Sequence, residues 1–488
     1  MTAEPLLLSL DLGTTNCKAV VFNLTGVEVA HAEESYPTYT PNVGVFEQRP
    51  EDWLRAIDAV LRGVVTSLAG RTEDLAGLAL SAWGPGLVLL SGDGKVLNEA
   101  SPTWQDARSA QHGERLIAAL GTEWIGGGLP TTGFPAKLAW AREEWPELVG
   151  RTVWALGVKD FVLHWMTGAI ATEASSGPYG DEWPVGVIEQ TGWQAHQLAP
   201  VLPATAVGGA LLPERARRLG LPSGLPVVMG LNDGASATLG AGCHEAGDGV
   251  ISLSTNGVFR LLLDRPPPAG VCLESALFRY PFVEGLWVTG GFALSGGNSL
   301  RWLVDSVFAA EGASAYDALL DEAAVAPAGA GGVSFLPYLV GRGTPFPNPE
   351  AGAAFVGLRL GHGRGHIVRA VLEGVAFALR DIQDSLGERG WRVDRLMVTG
   401  GGARHPLWRS IVAGALGRDV TYARGDSNLG AAVVLSVALG LHDDFASAVK
   451  AMIRDEVETA RETEPAAYQE AYARYRTAVA ALYGNRPA

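Results

Sequence analysis

Two hydrophobic patterns alternate along the chain: short apolar runs that suit buried strands, and longer stretches with apolar residues at helical spacing. Residues 6–10 form an apolar run broken only by Ser9, and residues 19–23 form a second β-rich run. Between them Asp11-Leu12-Gly13-Thr14-Thr15 reads as a tight turn, giving strand, turn, strand. A third strand is predicted over 27–34. Pro50 followed by Glu51-Asp52-Trp53 marks the start of a helix reaching residue 65, with acidic residues in its first turn. Further strands are predicted over 75–81 and 87–90, and Ser91-Gly92-Asp93-Gly94 is a turn signal after them.

Near the middle the opening pattern returns. An apolar strand over 226–229 leads into Asn232-Asp233-Gly234 and a helix of small residues. Then 250–253, Ser254-Thr255-Asn256-Gly257 and 258–263 again spell apolar strand, small polar turn, apolar strand. One such unit opens each half, which fits a duplicated α/β lobe with a cleft between the copies; two independent hairpins fit the same pattern. Helices are predicted over 367–386 and 428–439, and a strand over 396–399 runs into Gly400-Gly401-Gly402-Ala403-Arg404. The charged tail from Ala460, dotted with Tyr and Arg, reads as a solvated closing helix.

Composition narrows the class. A chain of 488 residues exceeds what one hydrophobic core usually organises, and 47% hydrophobic with 18% charged residues excludes disorder as the main state. A net charge of −15 without a basic patch argues against nucleic acid and anionic membranes as partners. Cys17, Cys243 and Cys272 have neither C-x-x-C spacing nor an even count, so no disulfide framework or cysteine-held zinc is expected. The start of the chain lacks a basic leader, and nowhere do eighteen uncharged apolar residues run together. The expectation is a cytoplasmic, soluble protein.

The sequence has no Walker loop, dinucleotide fingerprint, nucleophile elbow or H-E-x-x-H. It has instead hydroxyl-bearing, glycine-rich turns beside strands. In Asp11-Leu12-Gly13-Thr14-Thr15 the glycine admits close approach, amides and threonine hydroxyls can donate to phosphate, and the carboxylate can hold magnesium. Lys18 is one of only five lysines and adds a cation. The competing reading is a hairpin turn with an exposed lysine. Ser254-Thr255-Asn256-Gly257 can clamp another part of the same polyphosphate, and Gly400-Gly401-Gly402-Ala403-Arg404 offers backbone flat enough for a purine.

Ala353-Ala354-Phe355-Val356-Gly357-Leu358, followed after seven residues by His366-Ile367-Val368-Arg369-Ala370-Val371-Leu372-Glu373, resembles the C-terminal signature of the FGGY carbohydrate kinases. Phe335-Leu336-Pro337-Tyr338-Leu339, Thr344-Pro345 and 398–404 are similar to that family too, and the resemblance runs nearly end to end. It implies membership of the actin, Hsp70 and sugar-kinase superfamily: an α/β protein of two actin-like (ribonuclease H-like) lobes, over 1–246 and 247–488, with a catalytic cleft between them. It also implies a reaction, transfer of phosphate from ATP with Mg2+ to a hydroxyl of a sugar or polyol, most simply a pentulose such as xylulose. Glycerol, erythritol or gluconate as acceptor are alternatives, as is a catalytically weak sugar-sensing protein. A homodimer is the family's habit.

By the same resemblance Asp233 is the catalytic base, although Asn-Asp-Gly is also a good turn sequence. Asp11 is the magnesium-associated carboxylate. Thr14, Thr15 and Lys18 form the first phosphate group, Thr255, Asn256 and Gly257 the second. Gly297 and Arg301 line the nucleotide cleft, and Gly401, Gly402 and Ala403 match the adenosine motif. Trp104-Gln105-Asp106-Ala107-Arg108 is similar to the W-x-D-x-R stretch near the sugar and puts Asp106 there, with a surface helix start as the other reading. Where xylulose kinases usually carry Met-His, this chain has Ala82-Trp83-Gly84-Pro85-Gly86. Trp83 beside Gly84 can present a flat face to a sugar, or can be core packing. Arg342 stands one place before the position where the family often has arginine, now Gly343. Lys137 is read as structural, and Lys159-Asp160-Phe161 as scaffolding that leads towards Glu173 and Ser175 at the cleft mouth.

Overall fold

The computed structural model describes residues 4–122, 124, 133–310, 312–453, 458–461 and 464–484. The opening run is a strand whose two faces do different work. In Leu6–Leu12 the even-numbered Leu6, Leu8, Leu10 and Leu12 enter a core beneath the helix Pro50–Ser67, where Trp53, Ile57 and Leu61 are buried. The odd-numbered Leu7, Ser9 and Asp11 face the other way, onto the helix Ser427–Ala438. Ser9 Oγ lies 3.0 Å from Asn428 Oδ1 there. Burial on both faces explains why the run reads as continuous rather than alternating. It also moves Asp11 out of the predicted turn and into the strand; the turn itself begins at Gly13, whose N–H donates to Asn16 O at 3.0 Å.

Strands of the first lobe lie in the order Val207–Ala210, Pro226–Asn232, Leu75–Ala82, Leu6–Leu12, Asn16–Phe22, Glu28–Ser35. Those of the second lie in the order Phe278–Pro281, Trp287–Ala293, Gly257–Leu263, Asp248–Leu253, Arg395–Thr399, Val420–Tyr422, Thr459–Ala460. In each sheet the lobe's opening strand pairs antiparallel with the next strand and parallel with a later one, which pairs parallel with the last long strand. On the other side a further strand adds antiparallel in both, Glu28–Ser35 in the first lobe and Trp287–Ala293 in the second, where Phe278–Pro281 extends the edge. Shared order and shared sense across five strands favour duplication over two unrelated hairpins.

Each lobe ends its parallel strands in a helix that packs between the sheets: Asp233–Gly240 after Pro226–Asn232, and Ser427–Ala438 after Val420–Tyr422. Together with residues of both sheets they build a core shared by the lobes. The helices cross backbone to backbone. A Cβ on Gly430 would fall 1.9 Å from Ser236 O, and one on Gly240 would fall 1.9 Å from Asp426 O. No side chain fits at either point, so glycine is required by contact rather than by its torsions.

The tail corrects an expectation. Pro465–Tyr483 is a helix, but it is not merely solvated: Tyr468, Tyr472 and Tyr475 are buried in the second lobe. The Tyr475 and Tyr338 hydroxyls lie 2.9 Å apart, Tyr472 donates to Asp381 at 2.7 Å, and Arg369 Nη2 donates to the Tyr468 hydroxyl at 2.9 Å. Its tyrosines recur at positions 468, 472 and 475, a helical stripe that marks a packed face.

Gly430→Ala is expected to lower stability to chemical denaturation by about 3 kcal/mol or more, because backbone at the crossing must move apart. Gly387→Ala, on an exposed helical turn with no atom within 4 Å of the added carbon, is expected to raise it by about 0.5–1 kcal/mol.

Candidate functional site

The parallel strands of both lobes end on one side of the molecule, and the polar turns follow those ends. In the first lobe, Gly13 follows Leu6–Leu12, Trp83 follows Leu75–Ala82 and Asp233 follows Pro226–Asn232. Trp83 N–H donates to Leu12 O at 2.9 Å, tying two of these ends together. Asp11 is the hinge of the arrangement. Its Oδ2 accepts from Ser427 Oγ at 2.6 Å, across the lobes, while Oδ1 is buried with no hydrogen-bond partner. Burial pushes its carboxyl up to about 6, with the charges of Asp233 and Asp426 adding to the rise. A buried carboxylate oxygen with no close hydrogen bond, the Ser81 hydroxyl near it and the charges of Asp233 and Asp426 within reach, suits a divalent cation. Among the described residues no three His, Cys, Asp or Glu side chains are grouped to cage one, so phosphate oxygens and water would complete its shell, as magnesium prefers.

Asp233 stands at the first position of its helix. Asn232 is the cap, its Oδ1 accepting from Ala235 N at 2.7 Å, so Asn-Asp-Gly here starts a helix rather than making an isolated turn. A buried network fixes that cap. Asn232 N donates to Ser175 Oγ at 3.0 Å and Asn232 Nδ2 donates to Ser175 O at 2.7 Å. Ser175 Oγ donates to Glu173 Oε1 at 2.7 Å, and Lys159 Nζ reaches the same oxygen at 2.6 Å and Gly230 O at 3.1 Å. Lys159, taken from sequence as scaffolding, and Glu173, expected at the cleft mouth but buried, thus hold the strand end that presents Asp233. Burial raises the Asp233 carboxyl above its ordinary range, and the nearby Arg260 charge together with a 2.6 Å hydrogen bond from Gly234 N opposes the rise.

Thr14 and Thr15 lie in the turn after Asp11, half-buried and exposed respectively. Thr14 Oγ1 accepts from Trp104 Nε1 at 3.2 Å. Lys18 is the direct cross-strand partner of Asp11 and so shares its face, with the ammonium 3.7 Å from Glu33. On the opposite lobe the Thr255 hydroxyl is exposed, Asn256 is half-buried and Gly257 opens the next strand. Gly297 lies directly against this turn, its N–H donating to Ser254 O at 2.6 Å. Gly400 abuts Leu253, Gly401 has open space where a Cβ would stand, and Gly402 packs on Trp408 beside the buried Ala403. A chain of contacts joins the two sides: Asp11 to Ser427, then Asp426 and Gly425, whose carbonyl accepts from Thr399 Oγ1 at 3.2 Å, then Gly400 and Leu253.

Four expected residues stand elsewhere or are engaged otherwise. Trp83 is 2% exposed and meets Trp53 edge-on, ring centroids 5.8 Å apart, so it is core packing and offers no face to a ligand; Gly84 beside it is half-buried. The Asp106 carboxylate is also buried, with both oxygens taken by Arg108 and one also by Phe46 N at 3.0 Å. It locks its loop instead of facing outward. Arg301 is exposed and turned towards Tyr316. Arg342 is buried against Asp381 at 3.7 Å and over Phe346, inside the second lobe. Lys137 is structural, as read: its ammonium donates to Thr103 O at 2.8 Å, and burial pushes its pKa down to about 7.

Two residues at the site were not singled out from sequence. Trp104 opens the W-x-D-x-R stretch and crosses the cleft to stack on Phe292, 6.5 Å between centroids and 12° between planes. Arg260 sits beside Asp233 from the opposite lobe; its position on the strand after Ser254-Thr255-Asn256-Gly257 carried no sequence signal beyond a lone charge among apolar neighbours.

Comparison with known proteins accords with this geometry. A xylulose kinase of Klebsiella pneumoniae is 32% identical over 459 residues, covering 90% of both chains. A gluconokinase of Bacillus subtilis (strain 168) is 27% identical, covering 92% of this chain and 90% of its own. The crystal structure of xylulose kinase from Rhodospirillum rubrum superimposes with a TM-score of 0.87 at 28% identity, over 98% of this chain and 99% of that one. Residues 6–240 match the N-terminal domain of the FGGY family of carbohydrate kinases and residues 257–439 its C-terminal domain. With most of its length matched, and two lobes joined around paired carboxylates, this chain belongs to the FGGY family of carbohydrate kinases.

Proposed function

We propose that the protein transfers the γ-phosphoryl group of ATP to a hydroxyl of a sugar, polyol or sugar acid bound in the cleft beside Asp233. A pentulose such as xylulose is the acceptor named for most of the similar proteins. The observation that carries the reading is the nearness of Asp233, at a helix start on a rigid strand end, to Asp11, a buried carboxylate within its electrostatic reach.

Asp233 accepts the proton of the attacking hydroxyl as its oxygen bonds to the γ-phosphorus and the bond to the ADP oxygen breaks. Thr14, Thr15 and Lys18 from one lobe, and Thr255, Asn256 and Gly257 from the other, hold the phosphates in line between them. Gly401 leaves room for the adenosine, and Gly402 and Ala403 seat that turn against Trp408 and the core. Asp11 would hold magnesium, which when bound would supply charge neutralisation on the phosphates. Trp104 and Phe292 meet across the lobes over the acceptor and keep water from the phosphoryl group. Loss of water matters here because hydrolysis of ATP competes with transfer.

Asp233→Asn is expected to lower turnover between about 100- and 10,000-fold with nucleotide affinity retained, read by ADP release and by calorimetry; full activity would remove Asp233 from the role. Because the base acts ionised and burial raises its pKa, kcat/KM is expected to fall with decreasing pH while still above the ordinary carboxylate range, measured as a pH–rate profile. Asp11→Asn is expected to raise the magnesium concentration for half-maximal rate about tenfold or more, in an ADP-release titration.

A further inference from the structure

Along Gly257–Leu263 the residues alternate between two cores. Phe259 and Leu261 enter the outer core of the second lobe, and Val258 and Leu262 enter the core shared between the lobes. Arg260 lies between Val258 and Leu262 on their side of the strand, so a guanidinium is set into a largely apolar layer. Hydroxyls surround it. Nη1 donates to Ser252 Oγ at 3.0 Å, and the Tyr280 hydroxyl also hydrogen-bonds to it. Among the described residues it makes no salt bridge. It abuts the start of the helix that carries the base: a Cβ on Gly234 would fall 2.9 Å from the Tyr280 hydroxyl and 3.3 Å from Arg260 Nε and Nη2. Glycine after Asp233 is what lets the two groups come so near.

A guanidinium stays charged at any working pH, and holding it half-buried beside hydroxyls alone is costly unless an anion completes it. Asp233 feels its charge without pairing to it. The phosphates already have two hydroxyl turns, Lys18 and a metal-binding carboxylate. What remains is the acceptor. We propose that Arg260, with the Tyr280 hydroxyl beside it, binds a carboxylate of the acceptor, so that the protein phosphorylates sugar acids of the aldonate class in preference to neutral ketoses or polyols. This rests on the kinase reading above and narrows its acceptor. A planar fork of donors matches a carboxylate in two parallel hydrogen bonds, which a neutral hydroxyl cannot reproduce. Tyr280 stacks at 5.7 Å on the buried Phe278, which meets Phe292 at 5.0 Å, so aromatic packing continues from the arginine to the half-buried Phe292 and Trp104, whose rings give the carbon chain a surface.

The test is Mg-ATP kinetics with four- to six-carbon aldonates, D-xylulose and D-glucitol, in the wild type, Arg260→Met and Arg260→Lys, alongside calorimetry of gluconate binding without nucleotide. The expected result is a higher kcat/KM for an aldonate than for the neutral acceptors. In Arg260→Met the aldonate-over-glucitol ratio falls about 100-fold or more, chiefly through KM, and Arg260→Lys lies between. Should Arg260→Met not fold, the fall in that ratio in Arg260→Lys decides alone. Turnover of neutral acceptors only would overturn the proposal. So would an equal loss for every acceptor with a displaced acid limb, which would make the arginine a partner of Asp233 or of the phosphoryl group. If nothing is turned over, the kinase reading fails, yet gluconate binding that is weakened in the variants still supports the carboxylate site, and no aldonate binding by the wild type overturns it.

Discussion

Everything in the cleft depends on two short helices touching through their backbones. Asp233–Gly240 and Ser427–Ala438 come from different lobes, and glycines at 240, 425 and 430 remove the side chains that would hold them apart. That contact brings Ser427 to Asp11 and sets Asp426 within electrostatic reach of it. The end of the first helix meets the start of the second, Gly240 lying against Asp426 and Ser236 against Gly430. Because the helices meet along a narrow line of small residues, the crossing is also the natural pivot for lobe closure.

Burial then sorts the ionisable groups by task. Lys159 and Glu173 are both buried, but each satisfies the other and further backbone groups, so they act as a fixed brace under the strand that ends in Asp233. Asp11 is equally buried and is left one oxygen short. In a low-dielectric setting the first arrangement is inert and the second seeks a cation. The same reasoning separates Arg342, which pairs with Asp381, from Arg260, which bonds to hydroxyls and feels Asp233 without pairing to it.

Strands and long helices were legible in the sequence because each is written in a local period: the Leu6–Leu12 run, the small-residue start at Asp233, the long helix Arg364–Glu388. The turns at Gly13 and Thr255 were legible through composition, glycine and threonine after an apolar run. What failed to show were orientations. Trp83 is adjacent to cleft residues in sequence yet turns into the core onto Trp53, and Asp106 is satisfied by Arg108 two residues on. Which face a strand-end side chain takes depends on packing partners far away along the chain. For the same reason Arg260 was silent: its meaning lies in Gly234 and Tyr280, brought to it by the second sheet and the opposite lobe. The closing helix was misjudged because its charges were weighed and its tyrosine spacing was not.

The strand Leu6–Leu12 carries leucines for one layer and Ser9 and Asp11 for the other. A slip of one residue against its neighbours would exchange those sets, driving Asp11 into the core beneath Pro50–Ser67 and leucines against Ser427 and Asn428. A misthreaded chain is therefore both unstable and inert, and no long-lived but catalytically wrong isomer of this sheet is available. Quality control of folding and fidelity of the chemistry are here enforced by one and the same alternation.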